Sequence, residues 1–363
     1  MRAAITPAVG SPFLVTEVQL AAPIGREVLI EVKASGLCHS DLGVAEVDRG
    51  FPMPALLGHE IAGVVLEVGP DVREFAVGDV VVASPITSCG QCDSCLRGER
   101  YRCRRPEEIR RRPEEGARIT LDGAPVAQFI GIGGFAERAL VHENNIVKIP
   151  AGIPFEVAAL LGCGVVTGAG AAINSARVRP GDTVAVIGCG GVGLNVIQGA
   201  ALAGARRIIA IDLQQGKLDM ARDFGATDLV DASSTDPVEA VRELTGGGVT
   251  HAFEVIGLKQ TAEQSVAMLE KGGTAYLIGV QRPGTTLELL LFEDITANQK
   301  GVRAVAMGST NLKVDIPMYA ELYLQGRFKL DELVSQTISL DEINEGYEAL
   351  KRGGVARSVI TSF

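Results

Sequence analysis

At 363 residues, with 47% apolar side chains and 44 glycines, the chain is long enough for two packed domains and too apolar for a disordered one. A formal net charge of -10 leaves no basic field for a phosphate backbone, which argues against nucleic acid as a partner. The most apolar stretch, 183–211, is dense in glycine and broken by Asn195, Gln198, Arg206 and Arg207, so it is not a membrane span.

The first five residues carry one positive charge and no uninterrupted apolar core, so no secretory leader is read there and the expected location is the cytoplasm. Residues 1 to about 160 alternate short Val/Ile/Leu runs, such as 28–32 and 78–83, with Gly, Pro and Asp. That rhythm predicts a largely antiparallel β region with little helix. Within it, Cys89, Cys92, Cys95 and Cys103 place four of the seven cysteines in one window, with gaps of two, two and seven residues. Two-residue gaps let a turning backbone aim successive sulfurs at one centre, which predicts a structural zinc lobe at 89–103. Two disulfides are the alternative, and they go with a secretory context that the N-terminus does not supply. The arginines at 102, 104, 105, 110, 111 and 112 alternate with Glu107, Glu108, Glu114 and Glu115 and read as a solvated surface loop. Cys38, His59 and Cys163 lie too far apart for spacing to carry information, and each, taken singly, reads more often as a buried structural residue than as a ligand.

From about 165 the pattern changes to strands separated by helix-length segments, among them 218–224, 237–244 and 261–269, which predicts βαβ units and a parallel sheet. The run 183–187 is a buried strand, and Gly188, Cys189, Gly190, Gly191, Val192 and Gly193 follow it before an apolar helical stretch. Glycine at these places permits a tight turn, close approach of backbone to a pyrophosphate, and packing of helix on sheet, with the helix N-terminus facing the anion. The next strand ends in Asp212, 19 residues after Gly193. An acidic side chain there accepts from the ribose hydroxyls and repels a 2′-phosphate, so NAD is expected rather than NADP. After 304 the pattern is irregular, then closes with a helix over 340–352 and an apolar strand over 355–360.

These motifs carry a family resemblance. Gly58, His59, Glu60 and Gly63 continuing to Gly69, then the four-cysteine lobe, then Gly162, Cys163 and Gly164 with Thr167 and Gly168, then the glycine turn, follow the order found in zinc-containing medium-chain alcohol dehydrogenases. The chain resembles that family over essentially its whole length. Residues 342–357 and the loop 103–135 are similar to the branch of liver-type alcohol dehydrogenases and thiol-dependent formaldehyde dehydrogenases. The resemblance implies an α/β architecture in two domains. A β-rich, GroES-like catalytic domain would take 1–165 and 305–363, and a doubly wound Rossmann cofactor domain 166–304. It implies two zinc ions per chain, the structural one in the lobe and a catalytic one on Cys38, His59 and Cys163 with Glu60 as an occasional ligand.

By the same resemblance Ser40 takes the hydroxyl proton, Asp41 orients His59, and Pro85 and Phe129 line the substrate channel. Cofactor contacts would come from His39 and Arg357 at the pyrophosphate, Asp212 and Lys217 at the ribose, and Thr167, Gly188, Gly190, Gly191, Val192, Gly193, Gly279 and Val280. One departure stands out: Gly43 occupies the place where several relatives carry a histidine that passes the proton to solvent. The implied activity is hydride transfer between an alcohol and NAD. The alternatives are oxidation of the hydroxymethyl adduct of a thiol, and a non-catalytic protein that binds zinc and nucleotide. A homodimer through the cofactor domain's edge strand, within 287–304, is the implied assembly, with a tetramer as the alternative.

Overall fold

Val28, Ile30 and Val32 alternate along the strand Glu27–Gly36 and are buried on one face of it, as a period of two requires. The computed structural model describes residues 1–353 and 356–363, in two units: Met1–Cys163 with Asn311–Phe363, and Gly164–Thr310. In the first unit Glu27–Gly36 is central to a sheet ordered Ile146–Lys148, Val80–Ala83, Glu60–Val68, Glu27–Gly36, Ser358–Ser362, Gln336–Ser339, with Arg138–His142 also pairing Glu27–Gly36. Its pairings are antiparallel except between Gln336–Ser339 and Ser358–Ser362. A second core, with Phe13, Leu37, Leu56, Leu57, Phe135 and Tyr347, packs on a smaller sheet that contains Arg2–Thr6. The expected closing strand 355–360 is found at Ser358–Ser362, and Val355 lies outside the described residues.

The register of two strands places the future site. Glu27–Gly36 and Glu60–Val68 run antiparallel with Gly36 opposite Glu60. The end of one strand therefore sits beside the start of the other. A Cβ on Gly36 would fall 2.4 Å from Glu60 Oε2, so only glycine leaves room for that carboxylate.

The second unit is a six-stranded parallel sheet ordered Asp228–Asp231, Arg207–Asp212, Thr183–Ile187, Val249–Glu254, Leu269–Leu277, Gly301–Ala304. Numbered along the chain this is 3-2-1-4-5-6, the strand order of doubly wound dinucleotide-binding sheets. Thr183–Ile187 is buried along its whole length, as a central strand covered on both faces must be. The crossover helices are Gly191–Leu202, Gln215–Asp223, Pro237–Thr245 and Lys259–Ala267. Pro237–Thr245 shows how local sequence sets the ends: Asp236 accepts from the N–H groups of Val238 and Glu239, proline opens the helix, and Gly246 closes it at φ 74°. The α/β architecture expected from the sequence, a β-rich unit plus a doubly wound parallel sheet, is therefore present. Among the described residues, no single helix is long and apolar enough to cross a membrane.

Candidate active site

Cys38 follows the strand Glu27–Gly36 and His59 precedes Glu60–Val68, so the Gly36–Glu60 register alone brings them together. Cys163 joins them because Gly162 packs against the end of Val80–Ala83, where a Cβ would fall 2.0 Å from the Ala83 carbonyl oxygen. The candidate ligand atoms of Cys38, His59, Glu60 and Cys163 all lie within 4.8 Å of one another, and all four residues are buried. Two soft thiols, an imidazole and a carboxylate at that reach match the donor set of a zinc site. Both Glu60 oxygens are buried without a hydrogen-bond partner, a state that a bound cation or water relieves.

Asp41 stands behind the imidazole. Its Oδ1 accepts from the Gly58 N–H at 2.9 Å, and its Oδ2 lies 2.9 Å from His59 Nδ1, off the line of a full hydrogen bond. That contact leaves Nε2 for the cluster. Gly58 holds the turn at φ 90°, and a Cβ there would meet the Phe135 backbone nitrogen at 2.6 Å. Charge in the cluster is strongly coupled. The hydrogen bond from Cys163, aided by His59 against the cost of burial, holds Cys38 well below the usual thiol range. The same shared proton, and burial, push Cys163 up. Burial pulls His59 down, but Asp41 and the Cys38 thiolate together leave it well above the usual imidazole value. Burial raises the Glu60 carboxyl to about 7 against the pull of Arg357.

The lobe passes a geometric test for a tetrathiolate ion. Zinc–sulfur bonds of about 2.3 Å set tetrahedral sulfur–sulfur edges of about 3.8 Å. Cys92 Sγ lies 3.5 Å from Cys95 Sγ and 3.9 Å from Cys103 Sγ, and the four ligand atoms fall within 4.8 Å of one another. These separations are far beyond a disulfide bond, and all seven cysteines are free thiols. Backbone N–H groups of Cys89 and Arg105 donate to Cys103 Sγ, and that of Cys92 donates to Cys89 Sγ, which favours thiolates.

The glycine turn has the conformation its sequence demands. Gly188 sits at φ 100°, and a Cβ on Gly193 would lie 1.8 Å from the Gly188 carbonyl oxygen, so the helix Gly191–Leu202 can close on the strand only with glycine there. Around Gly190 a Cβ would meet nothing within 4 Å, leaving open space at the helix N-terminus. Asp212 ends the neighbouring strand and ties the turn down. Its Oδ2 accepts from the Cys189 N–H at 2.8 Å, and its Oδ1 from Leu213 and Gln214. Burial and the Asp212 charge push the Cys189 thiol up to about 12, consistent with a small packing residue. Lys217 is half-buried on the helix Gln215–Asp223, and Thr167 is nearly buried on Gly164–Gly170. Gly279 packs on Gly257, while Val280 and the Val192 position follow the strand end and open the helix.

The remaining expected residues divide. His39 and Ser40 are exposed at the start of the helix His39–Glu46, which the β pattern had hidden. Pro85 is half-buried just after Val80–Ala83. The Phe129 ring meets the His59 ring edge-on at 5.8 Å, and Phe51, which no sequence signal indicated, meets Phe129 at 5.5 Å. Arg357 is buried, with its Nε 3.6 Å from Glu60 Oε2. The arginine run is not wholly solvated. Arg111 and Arg118 both converge on Glu27, with side-chain exposures of 8%, 9% and 5%. Spacing could not reveal this, because Glu27 lies more than eighty residues upstream.

Residues 25–151 match the alcohol dehydrogenase GroES-like domain and residues 191–323 the zinc-binding dehydrogenase domain. The chain is 38% identical to an NDMA-dependent alcohol dehydrogenase of Amycolatopsis methanolica, over 99% of this chain and 98% of that protein. It is 34% identical to an S-(hydroxymethyl)glutathione dehydrogenase of Paracoccus denitrificans, over 99% of each. Its fold is similar to that of benzyl alcohol dehydrogenase from Acinetobacter calcoaceticus, with a TM-score of 0.94, 35% identity, and 100% of this chain and 99% of that one covered.

Proposed function

As a member of the zinc-containing medium-chain alcohol dehydrogenase family, the chain is a zinc-dependent alcohol dehydrogenase, and we propose that it uses NAD as its hydride acceptor. The observation that carries the site assignment is the buried cluster of Cys38, His59 and Cys163 with Asp41 behind the imidazole. Those three side chains would hold the catalytic ion, and Glu60 lies close enough to offer a further ligand atom. Zinc bound there supplies Lewis acidity, which makes an adjacent alcohol a stronger acid. Ser40, exposed two residues beyond Cys38, takes the hydroxyl proton and hands it to water, because Gly43 offers no side chain to relay it. Asp41 keeps His59 in the tautomer that presents Nε2. A second zinc in the lobe is structural.

The preference for NAD rests on Asp212, whose carboxylate sits at the end of the strand next to the glycine turn. Gly188, Gly190, Gly191, Val192 and Gly193 take the pyrophosphate. Lys217 adds to the ribose, and Thr167, Gly279 and Val280 to the nicotinamide side. Cysteines that serve as zinc ligands rather than disulfide partners fit a reducing compartment, so we place the protein in the cytoplasm. Gly301–Ala304 forms the sheet's outer strand, and Leu290, Leu291 and Phe292 nearby are 63%, 75% and 69% exposed, which supports a homodimer through this edge.

One observation favours a second reading. Arg49 Nη2 lies 3.9 Å from where a Gly43 Cβ would be, on the helix that carries Ser40. A guanidinium there suits an anionic thiol adduct better than a neutral alcohol. The test is NADH formation by zinc-replete protein with primary, secondary, benzylic and terpenoid alcohols, beside formaldehyde with and without glutathione or mycothiol. Turnover of free alcohols supports the first reading. Turnover only with formaldehyde plus thiol supports the second, and no turnover with any substrate refutes both.

A further inference from the structure

Glu254 ends the strand Val249–Glu254 and is wholly buried. Its Oε1 accepts from the N–H of Ile256 at 2.8 Å, the N–H of Gly257 at 2.7 Å and the hydroxyl of Thr261 at 2.8 Å. Its Oε2 is equally enclosed and has no hydrogen-bond partner. A carboxylate is a poor choice for filling core volume, so its place must come from the donors it satisfies. The main chain of the same residue does a matching job, since its carbonyl accepts from Ile278 at 2.8 Å and Gly279 at 3.1 Å. One residue thus fastens the loops that leave two neighbouring parallel strands.

Those loops touch each other backbone to backbone. A Cβ on Gly279 would fall 2.1 Å from the Gly257 nitrogen, and one on Gly257, itself at φ 93°, would fall 2.7 Å from the Val280 oxygen. Ile256 then reaches the glycine turn, with its Cγ1 2.8 Å from the place of a Gly188 Cβ. Three loops at the carboxyl edge of the sheet are interlocked, and that edge is where doubly wound sheets bind nucleotides. Asp212 lies on the strand to one side of Thr183–Ile187, and Glu254 on the strand to the other. A dinucleotide whose adenosine ribose meets Asp212 extends its other half over Glu254's loops.

We propose that Glu254 is a positioning residue for the nicotinamide half of the dinucleotide, which it supports by pinning Ile256 and Gly257 against Gly188 and Gly279. This rests on the dinucleotide reading above. The test titrates full-length, zinc-loaded Glu254→Ala and Glu254→Gln with NADH, followed by nucleotide fluorescence, and with ADP-ribose, followed by calorimetry, beside thermal unfolding. Glu254→Ala is expected to weaken NADH by about tenfold or more while ADP-ribose stays within about twofold, because only the adenosine half keeps its contacts. Glu254→Gln should restore NADH affinity, since its amide oxygen accepts from the same donors. Unchanged NADH affinity in Glu254→Ala overturns the proposal. So does parallel loss of NADH, ADP-ribose and melting temperature, which marks a general structural role, and so does a Gln variant as weak as Ala. If the unmodified protein binds no NADH, the dinucleotide reading falls and takes this proposal with it.

Discussion

Replacing Glu27 with glutamine should destabilise the catalytic unit by about 3 kcal/mol, the lower end of the range for breaking a buried ion pair. Arg111 donates to Glu27 from Nε and Nη2, the closest contact being 2.6 Å, and Arg118 Nε donates at 2.7 Å. The substitution removes the only carboxylate these contacts share. The cost stays at the lower end because other acceptors survive: Ala22 O for Arg111, and Ile109 O and Gln128 Oε1 for Arg118. Against a typical domain stability of about 5–15 kcal/mol that is a large fraction. Burial raises the Glu27 carboxyl, but Arg111 and Arg118 win and leave it below its ordinary 4.5. A depressed carboxylate contributes stability above its unfolded value and loses it as pH falls through the folded one. The gap between wild type and Glu27→Gln, measured by urea unfolding of zinc-loaded protein, should therefore be full at pH 7 and close as the medium is acidified below about 4.5. Faster proteolysis within 103–135 should accompany it, because that segment is what the two arginines tether. A variant within about 1 kcal/mol of wild type at pH 7, or a gap that does not close in acid, would refute the reasoning.

Cys163→Ser should lower turnover by more than the roughly 10–100-fold typical of a residue behind a metal ligand, with catalytic zinc reduced and the melting curve kept; near-normal activity would remove Cys163 from the ligand set. Cys95→Ser should cost lobe zinc and lower the melting temperature, because structural metal binding is folding free energy. Metal analysis and thermal scans that show no change would contradict it. Asp212→Gly should shift the NADP-to-NAD ratio of kcat/KM toward NADP by about tenfold or more as like-charge repulsion disappears. It should also weaken both nucleotides, since the Cys189 N–H loses its acceptor. An unaltered ratio would mean the carboxylate does not face the ribose.

Sequence was most informative where chemistry is local. The lobe cysteines share a short window, and the Gly188–Gly193 turn lies between a strand and the helix that follows it, so both could be read by spacing and both have the geometry the spacing demands. Sequence was silent where strands from distant parts of the chain meet. Nothing in the spacing of Cys38 and His59 distinguishes ligands from core residues, and the family resemblance had to supply that assignment. The structure gives the physical reason they meet: two antiparallel strands in register at Gly36 and Glu60.

The same limit explains the error in the arginine run. Charge alternation along 102–115 argues for a solvated loop because each arginine has a glutamate a few residues away. Arg102 and Arg105 do pair locally, with Glu99 and Glu108. Arg111 instead reaches Glu27, joined there by Arg118, whose Nη1 donates to Gln128 beside Phe129. Gln128 in turn donates to the carbonyls of Ile132 and Leu140. Phe129 therefore meets the His59 ring from a backbone fixed at several points, through Arg118 and Gln128, which lie just beyond the run that reads as surface. A buried ion cluster is a poor source of net stability but a strong constraint on geometry. Its position here, one residue from an aromatic wall of the metal site, makes geometry the more telling role for Glu27.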